Sequence, residues 1–168
     1  IPPRYHAPLL LRESTATSVF RASDAIEHQQ IAIKVLHHPL RAEEDLLQFK
    51  SEFATLATLQ HSGIIRVHDF GVLDGGFPYF TMEYFEGKRI TEYFTGQNWD
   101  ALYDVVIQIA SALHHIHTLG IIHFDLKPSN VLVSDDGRVK LMDFGVAAGG
   151  QQILDRKIRG TLHYMAPE

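Results

Sequence analysis

The side chains able to do chemistry concentrate in one stretch. His123-Phe124-Asp125-Leu126-Lys127-Pro128-Ser129-Asn130 places a carboxylate, an ammonium and an amide within six residues. Asp143-Phe144-Gly145 follows thirteen residues after Asn130, and the chain closes on Ala166-Pro167-Glu168. Upstream, Lys34 shares one face of a period-two apolar run with Ala32 and Leu36, while Ile31, Ile33 and Val35 share the other. Glu52 falls inside an apolar stripe at helical spacing, with Phe49 three residues before it, Leu56 four after and Leu59 seven after. A carboxylate on a core-facing stripe is costly unless paired, so Glu52 needs a cation. His114, His115 and His117 offer an H-x-x-H spacing, but no cysteine and no further ligand pair follows at zinc-site spacing. Helix packing and solvation account for them, and for His37, His38 and His61. The chemistry on offer is that of acids, an amide and cations.

These residues need elements to hold them. Short apolar stretches at 8–11 and 19–26 flank a polar turn of small residues, Arg12-Glu13-Ser14-Thr15-Ala16-Thr17-Ser18. The stretch 30–36 reads as a strand by its β-branched content, with Pro39 as its breaker. Residues 41–60 read as a helix, Phe53 widening its stripe and Ser62-Gly63 ending it. Stretches 64–72 and 78–84 read as strands joined across Asp74-Gly75-Gly76. Then the period changes. Residues 100–119 form an amphipathic helix with Leu102, Val105, Val106, Ile109, Leu113 and Ile116 on one side and Gly120 as its stop. Val131-Leu132-Val133 and Arg138-Val139-Lys140-Leu141 read as a hairpin about Asp135-Asp136-Gly137, and 143–168 as loop. A sheet-rich half with one helix therefore precedes a helical half, with 85–89 as the hinge. No internal repeat or low-complexity tract is present.

Composition bounds the class. A chain of 168 residues that is 45% hydrophobic and carries a net charge of -5 folds around a core and is not disordered. Without cysteine it is no disulfide scaffold, and no apolar run reaches membrane-spanning length. The acidic balance argues against a nucleic-acid surface. There is no initiator Met and no signal-peptide pattern, and the end carries no helix stop or polar tail, so the chain reads as a fragment.

Taken in order, the A-I-K strand, the helix Glu, H-x-D-L-K-P-x-N, D-F-G and A-P-E resemble the eukaryotic-type (Hanks-type) Ser/Thr protein kinases from about Leu9 to Glu168. The wording of the loop resembles bacterial members. The resemblance implies an α+β, bilobal kinase-like fold. Residues 1–85 would be a complete ATP-binding N-lobe, an antiparallel sheet plus one long helix, and 86–168 the first part of a truncated helical C-lobe. It implies ATP and Mg²⁺ as cofactors, with Lys34 on the α/β-phosphates and Glu52 holding that lysine. Asp125 accepts or orients the substrate hydroxyl proton, and Lys127 reaches the transferred phosphate, as in Ser/Thr-specific members. Asn130 and Asp143 hold the metal, whose preference for hard oxygen suits a carboxylate and an amide carbonyl. For the adenine, Leu11, Val19, Ala32 and Leu132 match the apolar ceiling and floor, Met82 the gatekeeper, and Glu83 and Phe85 the backbone contacts. Thr161 matches a loop residue that contacts Asp125. The partners implied are a protein substrate and further domains of a larger chain, with no nucleic acid and no membrane segment, in the cytoplasm.

The chain departs from the family pattern in three places. Arg12, Ser14 and Thr17 stand where the phosphate loop carries glycines, which permit positive φ and close backbone approach. Ser and Thr hydroxyls can donate hydrogen bonds instead, but their Cβ atoms restrict the turn, so ATP affinity is expected to be reduced until glycines are restored. Phe124 replaces the arginine that pairs with a phosphorylated activation loop, and residues 146–160 contain no Ser, Thr or Tyr. The resemblance also implies an arginine partner for Glu168, which a fragment ending there is expected to lack. The enzyme reading competes with that of a pseudokinase, a nucleotide-binding or scaffolding module; a small-molecule kinase fits Lys127 and the A-P-E ending less well.

Overall fold

The computed structural model describes residues 1–40, 42–95, 99–144 and 162–164, apart from the side chains of Gln48, Glu52 and Leu162. The chain divides into two compact units, Ile1–Ala57 with Arg66–Tyr84, and Thr58–Ile65 with Phe85–Glu168.

The first unit is a five-stranded antiparallel sheet in the order β1-β2-β3-β5-β4, formed by β1 (Tyr5–Glu13), β2 (Thr17–Asp24), β3 (Gln29–Leu36), β4 (Val67–Val72) and β5 (Pro78–Glu83). The period-two pattern of β3 is realised on both faces. Ile31 and Ile33 join Tyr5, Ala22 and Tyr79 in a buried cluster, with Phe20, Val35 and Leu73 packed around it. On the opposite face, register places Val19 and Phe80 beside Lys34, and Met82 beside Ala32. Phe70 pairs with Phe80 and so shares that face. Helix α1 (Glu43–Ala57) packs there, with the rings of Phe49 and Phe53 5.9 and 4.6 Å from that of Phe70. Its first turn carries Glu43, Glu44 and Asp45, which suits the positive end of the helix dipole.

Helix α1 ends at Ala57, earlier than the expected 60, and Gly63 is not its stop. Leu59, Ile64 and Ile65 are buried as parts of the second unit, which draws the chain out of the helix. Strand β4 accordingly starts at Val67, not at 64. In the second unit, Ile65 N–H donates to the Leu141 carbonyl at 2.9 Å and Leu141 N–H to the Gly63 carbonyl at 2.8 Å. A Cβ on Gly63 would stand 3.2 Å from that of Ala112, so glycine is needed there for close approach.

The second unit contains a short strand β6 (Lys88–Arg89), a one-turn helix α2 (Ile90–Tyr93), the long helix α3 (Trp99–Thr118) and the hairpin β7 (Val131–Val133) and β8 (Val139–Leu141). β6 pairs with β7, so part of the expected hinge at 85–89 is sheet. Gly120, at φ 71, ends α3: its N–H donates to His117 and that of Ile121 to Ile116, the double bond pattern of a glycine C-terminal cap. The buried stripe of α3 is Val105, Ala112 and Ile116. Val106, expected on that side, is 49% exposed. Gln108 accepts from Val139 N–H at 3.1 Å and donates to the Gly137 carbonyl at 2.9 Å, so one amide fastens the hairpin to α3.

Candidate functional site

The segment between α3 and β7 is built around a carboxylate. Asp125 N–H donates to the His123 carbonyl at 2.8 Å, with Phe124 between them at φ 59. This is a three-residue turn of the rare hand, costly for a bulky side chain and characteristic of sites where geometry outranks local preference. It is held on both sides. His123 is buried, and its ring lies 4.5 Å from that of Phe144. Burial pushes the imidazole pKa down, which favours the neutral ring. Downstream, Pro128–Asn130 forms a 3₁₀ turn that returns the chain to Asp125.

That turn brings three of the expected residues together. The Lys127 ammonium lies 2.7 Å from Asp125 Oδ2. Asn130, 2% exposed, donates its amide to the Asp125 carbonyl at 2.9 Å and to Oδ2 at 3.0 Å. Asp143 comes close through the backbone: Met142 N–H donates to the Asn130 carbonyl at 2.9 Å, which sets Asp143 one residue beyond the bond. Asp143 itself takes φ 55, a conformation that aspartate tolerates better than most side chains.

This donor set fits a hard divalent cation. Both bonds of the Asn130 amide nitrogen run to Asp125, which turns its carbonyl oxygen away from that residue, and Asp143 adds a carboxylate on the adjacent strand end. Among the described residues no three His, Cys, Asp or Glu side chains form a metal-holding group, so a cation here must complete its shell from water and ligand oxygens.

The remaining expected residues lie in both units. In the first, Lys34 sits mid-strand with its ammonium 5.7 Å from the centre of the Phe80 ring. Glu52 lies on α1 between Phe49 and Phe53, and its side chain is outside the described residues, as is the expected pairing with Lys34. Ala32 and Met82 are buried neighbours across β3 and β5, and Val19 is half-buried. Leu11 is 46% exposed, at a register shift between Leu10 and Arg12. Glu83 gives its N–H to the Arg66 carbonyl at 2.9 Å. In the second unit, Phe85 and Leu132 are half-buried, with the Arg138 guanidinium over the Phe85 ring at 5.9 Å. Gly145, the 146–160 segment, Thr161 and Ala166-Pro167-Glu168 lie outside the described residues. His123 and Gln108 were given no role from the sequence. The first position of H-x-D could have marked His123, whereas nothing local marks Gln108.

A family model, the protein kinase domain, matches residues 11–168. The DNA damage-responsive serine/threonine-protein kinase RqkA of Deinococcus radiodurans is 40% identical over 98% of this chain and 26% of its own length. A probable serine/threonine-protein kinase of Clostridium acetobutylicum is 33% identical over 89% of this chain and 24% of its own. The serine/threonine-protein kinase PrkC of Bacillus subtilis is 31% identical over 98% and 26%. The chain thus spans about a quarter of the length of these relatives.

Proposed function

This chain belongs to the protein kinase family, and from that premise we propose that the protein transfers the γ-phosphoryl group of MgATP to serine or threonine hydroxyls of protein substrates. The observation that carries the proposal is the Asp125–Lys127–Asn130 cluster, an acid held by a cation and a buried amide within one short turn.

Phosphoryl transfer demands alignment and charge neutralisation more than covalent help. In the proposed reaction the substrate oxygen forms a bond to γ-phosphorus as the bond to the bridging oxygen of ADP breaks. Asp125 accepts or orients the hydroxyl proton, and its amide bond from Asn130 fixes its direction. Lys127, already beside Asp125, moves its ammonium onto the transferred phosphate. Asn130 and Asp143 hold Mg²⁺, which neutralises phosphate charge when bound. Lys34 supplies a fixed cation for the α/β-phosphates, with Glu52 assigned to hold it. Ala32, Val19, Met82, Leu11 and Leu132 take the base, and the backbones of Glu83 and Phe85 read its edge. The lysine two residues after Asp125 favours Ser/Thr over Tyr. Further domains of a longer protein, and a cytoplasmic site of action, belong to the same proposal. Among the described residues no helix is long and apolar enough to cross a membrane.

Titration of the full-length protein with ATP, with and without Mg²⁺, tests the metal assignment. Wild-type protein should bind ATP more tightly with Mg²⁺, and Asp143→Asn should lose most of that gain. Equal Mg²⁺ dependence in the variant would remove Asp143 from the metal site.

A further inference from the structure

A hairpin without glycine must be closed by something else. The loop Ser14-Thr15-Ala16-Thr17 joins β1 to β2, and a two-residue hairpin connection ordinarily takes a turn with positive φ at a central position. None of residues 12–17 has a positive φ. Ser14 N–H donates to the Thr17 carbonyl at 2.8 Å, as in any such hairpin. The return bond is made to a side chain. Thr17 N–H donates to the Ser14 hydroxyl oxygen at 3.0 Å, and Ala16 N–H reaches the same oxygen at 3.3 Å. The hydroxyl hydrogen goes back to Thr17, whose carbonyl lies at 3.1 Å and whose Oγ1 lies at 3.2 Å. Ser14 is therefore committed to the turn.

The end of β3 grips the turn from outside. His37 donates its backbone N–H to the Ala16 carbonyl at 2.8 Å, and its Nδ1 lies 3.3 Å from the Thr15 carbonyl. A carbonyl can only accept, so Nδ1 carries a proton. Nε2 lies 2.8 Å from the buried Ser18 hydroxyl, which donates to Glu13 Oε1 at 3.3 Å. One residue thus ties two successive carbonyls of the turn to the first residue pair of the hairpin.

We infer that Ser14 and His37 are positioning residues for the nucleotide phosphates. They build with side-chain hydrogen bonds the fixed turn for which the family pattern uses glycine. The ligand in this inference rests on the kinase reading; the closure of the turn does not. A turn tied in this way is ordered before ligand arrives, so binding meets less ordering cost.

Two measurements on the full chain test it, using wild type, Ser14→Ala and His37→Ala. Without ligand, amide exchange at Thr17 should speed up about tenfold in Ser14→Ala, the scale of losing one hydrogen bond. In titrations, both variants should bind MgATP about three- to tenfold more weakly and adenosine within about twofold of wild type, because adenosine has no phosphate to meet the turn. Unchanged exchange at Thr17 would overturn the closure. Equal weakening of MgATP and adenosine, or no weakening while wild type binds both, would overturn the phosphate role alone. A wild-type chain that binds neither ligand would overturn the kinase reading, and the phosphate role with it.

Discussion

Asp24 and Asp125 are both aspartates beside a cation, and their surroundings give them different work. Asp24 is buried; Arg4 donates to both its oxygens at 2.7–3.0 Å, and the N–H groups of Ile26 and Glu27 donate to Oδ1 at 2.9 and 3.3 Å. The Arg4 guanidinium holds its pKa down from 3.8 to about 2. Such a group stabilises the fold above its unfolded pKa and loses that contribution as pH falls through its folded one. Wild type should therefore exceed Arg4→Ala in urea midpoint at pH 6, the lost pair costing about 1–3 kcal/mol, and the two should converge near pH 2. A gap that persists undiminished at pH 2 would show that Arg4 acts through packing. Asp125 was legible in the sequence because its partners lie within five residues, and its chemistry is written in their types and order. The Arg4–Asp24 pair was not legible. It joins residues twenty apart, and only the register that pairs Tyr5 with Asp24 brings them together.

Elements were legible where one local period decided them. The β3 alternation and the α3 stripe with its Gly120 stop survive in the structure because the same residues fix both conformation and burial. They failed where a tertiary partner competed. The apolar residues Leu59, Ile64 and Ile65 looked like a continuation of α1 and β4, yet they are buried beside β8 and α3 in the other unit. Val106 has the right period for the buried side of α3, but Ala112, too small to stand out in a hydrophobic pattern, is what Gly63 packs against. Gly63→Ala tests that contact. Its Cβ would stand 3.2 Å from the Ala112 Cβ and 3.3 Å from His61 Nδ1, a crowding that should lower stability in chemical denaturation by about 1–3 kcal/mol. An unchanged midpoint would mean that the 58–65 segment yields freely.

At the scale of the whole molecule, the chain divides at Ala57, Ile65 and Tyr84, where the sequence pattern alone proposed a single division at 85. Regulation also belongs to this scale. Residues 146–160 offer no hydroxyl, and Phe124 has no guanidinium with which to clasp a phosphate. Phosphatase treatment of the full-length protein should therefore leave transfer activity unchanged. A large loss, traced by mass spectrometry to Thr161 or Tyr164, would contradict this. The central claim is that Asp125, fixed by Asn130 and Lys127, serves the hydroxyl that receives the phosphoryl group. It is tested most directly by transfer of labelled γ-phosphate from MgATP to a protein substrate, comparing full-length wild type with Asp125→Asn. The account predicts transfer to Ser or Thr in wild type and a loss of about 10²–10⁴-fold in the variant, with MgATP binding retained. Equal transfer by both proteins, or none by a wild type that binds MgATP, would contradict it.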